Sequence, residues 1–233
     1  MQTSSLLELV RLTIDGDVGE VSSRLRATPA LATMALPVSA KVQQPKEPFF
    51  TEICHYMYGG DTALHMAAAA FSRPVAELLV SHGADWRAKN RRGAVPLHYA
   101  ADGNRSAPLA QADVIEYLIS VGTNPDEVDK SGVAPLHRAV RTRSLAAVRA
   151  LLDGGANLRQ PNKAGSTPLH LAVQPTGASG SGSDQARHQQ AEIINFLLQH
   201  GARPTDKDAR GKTVYQAATS EWIRALLKEG YAG

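Results

Sequence analysis

Gly165-Ser166-Thr167-Pro168-Leu169-His170-Leu171-Ala172 decides the fold, because the stretch returns along the chain. One copy earlier it reads Gly132-Val133-Ala134-Pro135-Leu136-His137-Arg138-Ala139. Before that come Gly93-Ala94-Val95-Pro96-Leu97-His98-Tyr99-Ala100 and Gly60-Asp61-Thr62-Ala63-Leu64-His65-Met66-Ala67. A worn copy, Gly211-Lys212-Thr213-Val214-Tyr215-Gln216-Ala217-Ala218, closes the series. The histidines at 65, 98, 137 and 170 stand 33, 39 and 33 residues apart. A period of this size marks a supersecondary unit that buries its apolar side by stacking on copies of itself.

Each position in the stretch has a physical role. Gly165 supplies the positive φ of a tight turn. Thr167 is predicted to cap a helix, its hydroxyl accepting a backbone N–H. Pro168 takes the first helical position, where a missing donor costs nothing. Leu169 and Ala172 face inward at helical spacing, and the small alanine lets neighbours approach closely. A second helix is predicted over 191–200, ended by Gly201 as a left-handed cap. Equivalent helices are predicted over 75–82, 114–121, 147–154 and 222–229, ended by Gly83, Gly122, Gly155 and Gly230. The second and third copies carry Val95 and Ala134 at the cap, a predicted loss of about 1 kcal/mol each. Upstream, 6–12 and 18–26 read as an amphipathic helix pair around Asp15-Gly16-Asp17, stopped by Pro29. Six helix pairs are expected, the first and last atypical and serving as end caps.

The signature, the period and the Gly-Ala-Asp/Asn helix ends together resemble the ankyrin repeat, strongly over 60–230 and weakly over 5–32. The resemblance implies an all-α solenoid with degenerate end caps and a concave binding face. It places a degenerate helix pair at 5–34, an enlarged finger at 35–58, full repeats at 59–90, 91–129, 130–162 and 163–207, and a cap at 208–233. It implies that the signature histidine bonds backbone between repeats, and that the activity is recognition of another macromolecule, most often a protein, rather than catalysis. The manner of the chain, with Ala27-Thr28-Pro29-Ala30-Leu31-Ala32, also resembles bacterial members of that family.

Composition agrees with a repeat of this kind. The chain has 233 residues, 43% of them hydrophobic, enough to bury a core, and no apolar run long enough to span a bilayer. The first residues lack a basic region, and Glu8 interrupts any apolar one, which argues against a secretory signal. The single cysteine, Cys54, excludes an internal disulfide and a thiolate-rich metal site, and fits a reducing, cytoplasmic setting. A formal charge of +3 is small for this length and does not itself point to nucleic acid.

The period is broken three times, and insertions between repeats map to loops. The segment 35–58 holds Pro37, Pro45 and Pro48, and four of the chain's twelve aromatic residues fall within 49–58. An enlarged finger there is placed to fold over the inner surface. The insertions 102–108 and 175–184 lie between the two helices of their repeats, on the edge opposite the fingers, and the second is Gly/Ser-rich and flexible.

The candidate partner-binding residues follow from this layout. Phe49, Phe50, Tyr56 and Tyr58 either pack the finger onto the first repeats or face a partner as aromatic anchors. Arg91, Arg92 and Lys163 lie at finger tips, and Arg138 and Arg141 are predicted to project from a first helix toward the groove near Tyr99. Together these suit an acidic segment or a phosphorylated group. Asp126, Glu127 and Asp129 around Lys130, and Asp206 and Asp208 around Lys207, read instead as a mixed solvated surface. The four signature histidines are spread along the array by roughly 10 Å per repeat, too far apart to share one ion. Cys54 and His55 are adjacent on an extended chain and point to opposite faces, so they make no nucleophile–base pair. No catalytic, metal or cofactor site is expected. The expected partner of this monomer is another protein, with a small anionic ligand or nucleic acid in a basic groove as the alternative.

Overall fold

A computed structural model of the protein describes residues 2–38, 48–102, 107–175 and 182–229. Twelve α-helices among them form six pairs: α1 Gln2–Asp15 with α2 Val18–Ala27, α3 Ala63–Ala69 with α4 Arg73–Ser81, α5 Pro96–Ala101 with α6 Pro108–Ser120, α7 Pro135–Thr142 with α8 Leu145–Asp153, α9 Pro168–Ala172 with α10 Asp184–Gln199, and α11 Val214–Ala217 with α12 Glu221–Glu229. First helices stack on first helices in the order α1, α3, α5, α7, α9, α11, and second helices on second helices in the order α2, α4, α6, α8, α10, α12. The array is therefore a two-layer solenoid, each hairpin shielding its apolar side on its neighbours. Every residue of α3 is buried, and four of its seven residues are alanine, which lets α1 and α5 close on it from both sides.

The signature histidine holds each helix start and ties each repeat to the next. The Nδ1 atoms of His65, His98, His137 and His170 accept the backbone N–H of Thr62, Val95, Ala134 and Thr167 at 3.1–3.2 Å. With Nδ1 an acceptor, Nε2 carries the proton and donates to a carbonyl of the following finger: Ala94, Val133, Ser166 and Lys212 at 2.9–3.3 Å. The cap expected at Thr167 is thus made differently. Its hydroxyl, like that of Thr62, bonds the histidine ring at 2.9–3.0 Å. Val95 and Ala134 keep the histidine half of the arrangement, so the absent hydroxyl removes less than a whole cap. In the worn copy, Gln216 replaces histidine and builds a reciprocal capping box with Thr213.

Two insertions prove partly helical. Helix α6 begins at Pro108 rather than near 114, and α10 begins at Asp184, capped by Ser183, rather than at 191. Each lengthened helix sends a buried glutamine back to the end of its partner. Gln111 donates to the Ala100 carbonyl at 2.8 Å and accepts from the Ser144 hydroxyl at 2.6 Å. Gln190 donates to the Ala172 and Gln174 carbonyls at 2.6 and 2.8 Å. Residues 103–106 and 176–181 of these insertions, 39–47 of the first one and Gly230 at the last helix end lie outside the described residues.

Within the enlarged finger, Phe49–Phe50 (β1) pairs antiparallel with His55–Tyr56 (β2), Phe49 opposite Tyr56. Ala35 bridges Thr62, and Leu36 exchanges backbone hydrogen bonds with Gly60 and Asp61. The 35–38 stretch therefore lies along the first finger. The hairpin rests beside α1, where Leu7, Arg11 and Ile14 share a cleft with residues 48–52.

Candidate functional site: the finger-tip groove

The finger tips are ordered by one repeated turn. Asn90, Asp129, Asn162 and Asp208 each stand three residues before the turn glycine. Their Oδ1 atoms each accept two backbone N–H groups, two and four residues on, at 2.8–3.0 Å. These are side-chain-anchored turns of the kind short polar residues favour. The tips then join laterally: the Arg91 N–H donates to Gly59 O, Lys130 to Arg92 O, Lys163 to Ser131 O and Ala209 to Ala164 O, at 2.7–3.3 Å. This ladder sets Arg91, Arg92, Lys130 and Lys163 in one row.

A groove of about 420 Å³ opens where the second and third tips meet the first helices. Arg91, Arg92, Lys130, Ser131, Arg138 and Arg141 line it, with Asp102 and Asp129. The predicted cations Arg91, Arg92, Arg138 and Arg141 are brought together here, whereas Lys163 does not line it.

Their states differ. Arg138 is buried, donating from Nη1 to Asp102 Oδ2 at 3.1 Å and from Nη2 to Asp129 Oδ2 at 3.0 Å. It lines the groove, as expected of a residue projecting from a first helix, but it pins α7 to the end of α5 and to the third finger, which is a bracing role rather than that of a free partner-binding cation. Burial opposes the Asp129 charge, but the N–H donors of Val133 and Ser131 and the Arg138 guanidinium outweigh it and hold the carboxyl below its usual range. Arg141 is exposed and spends one amino group on Asp102 Oδ1 at 3.2 Å. Arg92 is exposed and lies 4.0 Å over the ring of Tyr58.

Tyr99 is also corrected: it is buried, not displayed in the groove. Its hydroxyl donates to Asp61 Oδ2 at 2.6 Å and accepts from Asn90 Nδ2 at 2.9 Å. Burial, with the Asp61 carboxylate beside it, pushes the phenol pKa well up, so it stays a donor. Asp61, itself fully buried, also accepts from Asn90 Nδ2 at 2.9 Å and from the Tyr58 backbone N–H at 2.6 Å. This network fixes the finger on which Arg92 rests. The sequence signal for it is Asp61 in the variable place after the turn glycine, where the other copies have Ala94, Val133, Ser166 and Lys212.

The aromatic finger residues separate. Phe50 packs inward with Met57, and Tyr58 is half-buried under Arg92. Phe49 and Tyr56 stack on each other at 4.7 Å and remain 46% and 47% exposed. Cys54 and His55 are engaged elsewhere. The thiol contacts Thr51 O at 3.4 Å, while the His55 ring lies 4.4 Å from Tyr99 and bonds Tyr56 O at 2.8 Å.

Of the acids read as a mixed solvated surface, Asp129 lines the groove on Arg138, while the others are engaged elsewhere. Glu127 pairs with Lys89 at 2.6 Å, Asp126 accepts the Asn157 N–H at 2.7 Å, and Asp206 pairs with Arg159 at 2.6 Å.

Family profiles agree with this construction. The model described as ankyrin repeats in three copies matches residues 106–179, and that of the single ankyrin repeat matches 59–91 and 164–209. The chain belongs to the ankyrin repeat family. Among curated proteins it is similar to a putative ankyrin repeat protein of fowlpox virus (strain NVSL), 29% identical over 93 residues, covering 40% of this chain and 27% of that protein. It is also similar to the tyrosine-protein kinase Shark of Drosophila melanogaster, 37% identical over 95 residues, covering 40% of this chain and 9% of the kinase. The chain thus spans about a quarter or less of these relatives' lengths. Ankyrin repeats are in general protein–protein interaction modules, and no helix among the described residues is long and apolar enough to cross a membrane.

Proposed function

We propose that this ankyrin array is a non-catalytic, cytoplasmic recognition module that binds another protein through the groove between its finger tips and first helices. The observation that carries it is the charge accounting in that groove. Besides Arg91, which is engaged elsewhere, four cations among the described residues line it against two carboxylates, both of which pair with the buried Arg138. The surplus is held on a braced surface, because the tip turns, the lateral ladder and the Asp61 network fix the backbone beneath it. A preformed surface loses little conformational freedom on association. The exposed Phe49–Tyr56 pair gives an apolar contact on the neighbouring hairpin.

The test is affinity capture with an Arg92→Glu/Arg141→Glu double variant, both side chains being exposed. Loss of the protein that wild type retains is expected. Retention at equal strength refutes the groove. Arg138 is unsuitable for this test because it braces the fold. The cationic surplus equally suits a small free anion, and salt titration separates nucleic acid from both. A basic cluster confined to one groove predicts a shallow salt slope, not the steep one of a long phosphate track.

A further inference from the structure

We propose that the groove reads a doubly charged phosphate on a partner segment, a phosphorylated serine or threonine rather than a plain carboxylate. The inference rests on the binding role assigned above and adds the chemistry of the ligand. Leaving aside Arg91, which is engaged elsewhere, the described lining carries Arg92, Lys130, Arg138 and Arg141 against Asp102 and Asp129, a surplus of two positive charges in about 420 Å³. A carboxylate brings one negative charge and fits one arginine fork. A phosphate monoester brings about −1.5 to −2 and three acceptor oxygens that donors can approach from several sides.

The donors are arranged for the second case. Arg92 comes from one finger, Lys130 from the next and Arg141 from helix α7, so they converge from three elements. Arg141 meets Asp102 through one amino group only. Lys130 adds a point charge that needs no planar partner. The floor is Arg138, whose side chain is 10% exposed and whose two amino groups hold Asp102 and Asp129, so it contributes charge beneath the site rather than a direct donor. The neighbouring acids that would compete, Glu127 and Asp126, are tied to Lys89 and to the Asn157 N–H.

The test uses the full chain and immobilised peptide pools of random sequence whose central residue is fixed as phosphoserine or phosphothreonine, serine or threonine, or glutamate. The phosphorylated pools are expected to retain the protein at least tenfold better than the other two. An Arg92→Gln/Lys130→Gln variant, with an unchanged helical circular dichroism spectrum, is expected to lose that preference. Equal retention by glutamate and phosphorylated pools overturns the phosphate assignment and leaves the acidic-segment groove standing. Retention by no pool also overturns it, and the charge-reversal capture experiment then decides the binding role separately. Inorganic phosphate competing at or below the peptide's own concentration overturns the assignment to a partner segment and indicates a free-anion site.

Discussion

Replacing Tyr99 by phenylalanine removes one oxygen from the buried cluster of Asp61, Asn90 and Tyr99. The ring keeps its contacts, because His55 at 4.4 Å and His65 at 5.1 Å touch the aromatic face or edge and not the hydroxyl. What disappears is a donor 2.6 Å from the fully buried Asp61 carboxylate. Asp61 Oδ2 is left with the Tyr58 N–H alone, and Asn90 Nδ2 keeps only its bond to Asp61 Oδ1. A hydrogen bond to a charged group contributes about 1.5–3 kcal/mol, so the expected cost is about 2 kcal/mol. For a domain of this size that corresponds to a fall in melting temperature of about 4–8 °C. The loss should be local first: amide exchange should accelerate in α3, α5 and the Asn90 turn before α9 and α10. Urea melts of wild type and Tyr99→Phe give the global value, and exchange mass spectrometry gives its place. A change below about 0.5 kcal/mol, the range of an inconsequential surface substitution, would refute the claim that this cluster anchors the second finger.

Other perturbations follow from the same contacts. Burial holds His98 neutral with a pKa of about 3, so the unfolded chain binds a proton below about pH 6.5 that the folded chain refuses. Stability is therefore lost as pH falls, by about 1.9 kcal/mol from this histidine between pH 7 and 5, with further losses from the lowered His65 and His137; urea midpoints that do not move over that interval would contradict it. Arg138→Met should cost about 3 kcal/mol by leaving Asp129 and Asp102 short of their buried partner, whereas Arg141→Ala, 63% exposed, should cost under about 1 kcal/mol; thermal melts that rank the two the other way would overturn the bracing role. Gly132→Ala should destabilise by more than about 1 kcal/mol, since φ is +72° and the added carbon would stand 2.7 Å from the Lys163 nitrogen, and a neutral melt would show that the finger ladder is loose.

The stacking of helix pairs was legible because it depends on residues that recur: the turn glycine, the proline at the first helical position, the inward leucine and the histidine. The helix starts at Pro108 and Asp184 were not, because the period masks them. A segment outside the repeat registers as an insertion whether it coils or adds helical turns. Only the proline at 108 and the Ser183-Asp184 pair hinted at caps. The tip turns are legible in principle, since Asn or Asp stands three residues before the glycine in four copies, but Asp129 and Asp208 alone read only as part of a mixed solvated surface. Arg138 lies on the expected face but is not free there. Sequence assigns a residue to a helix face, but whether a cation on that face is free depends on acids 36 and 9 residues away, which only the folded chain brings within 3.1 Å.

The separation between bracing and available charge has a physical consequence for recognition. Had Asp102 and Asp129 paired with Arg92 and Lys130, the net charge would be the same, but those exposed cations would have to shed partners before binding anything. Arg138 prevents this by drawing both carboxylates to the floor, while Glu127 and Asp126 are drawn off toward Lys89 and the fourth finger. Among the described residues, Arg92 and Lys130 therefore meet an incoming anion without first breaking an internal ion pair, and Arg141 gives up only its contact with Asp102 at 3.2 Å. Because those exposed cations are screened by salt while the buried pairs are not, added salt should weaken binding at concentrations that leave the fold unaffected. Parallel loss of binding and of stability with salt would instead mean that the groove cations are part of the scaffold.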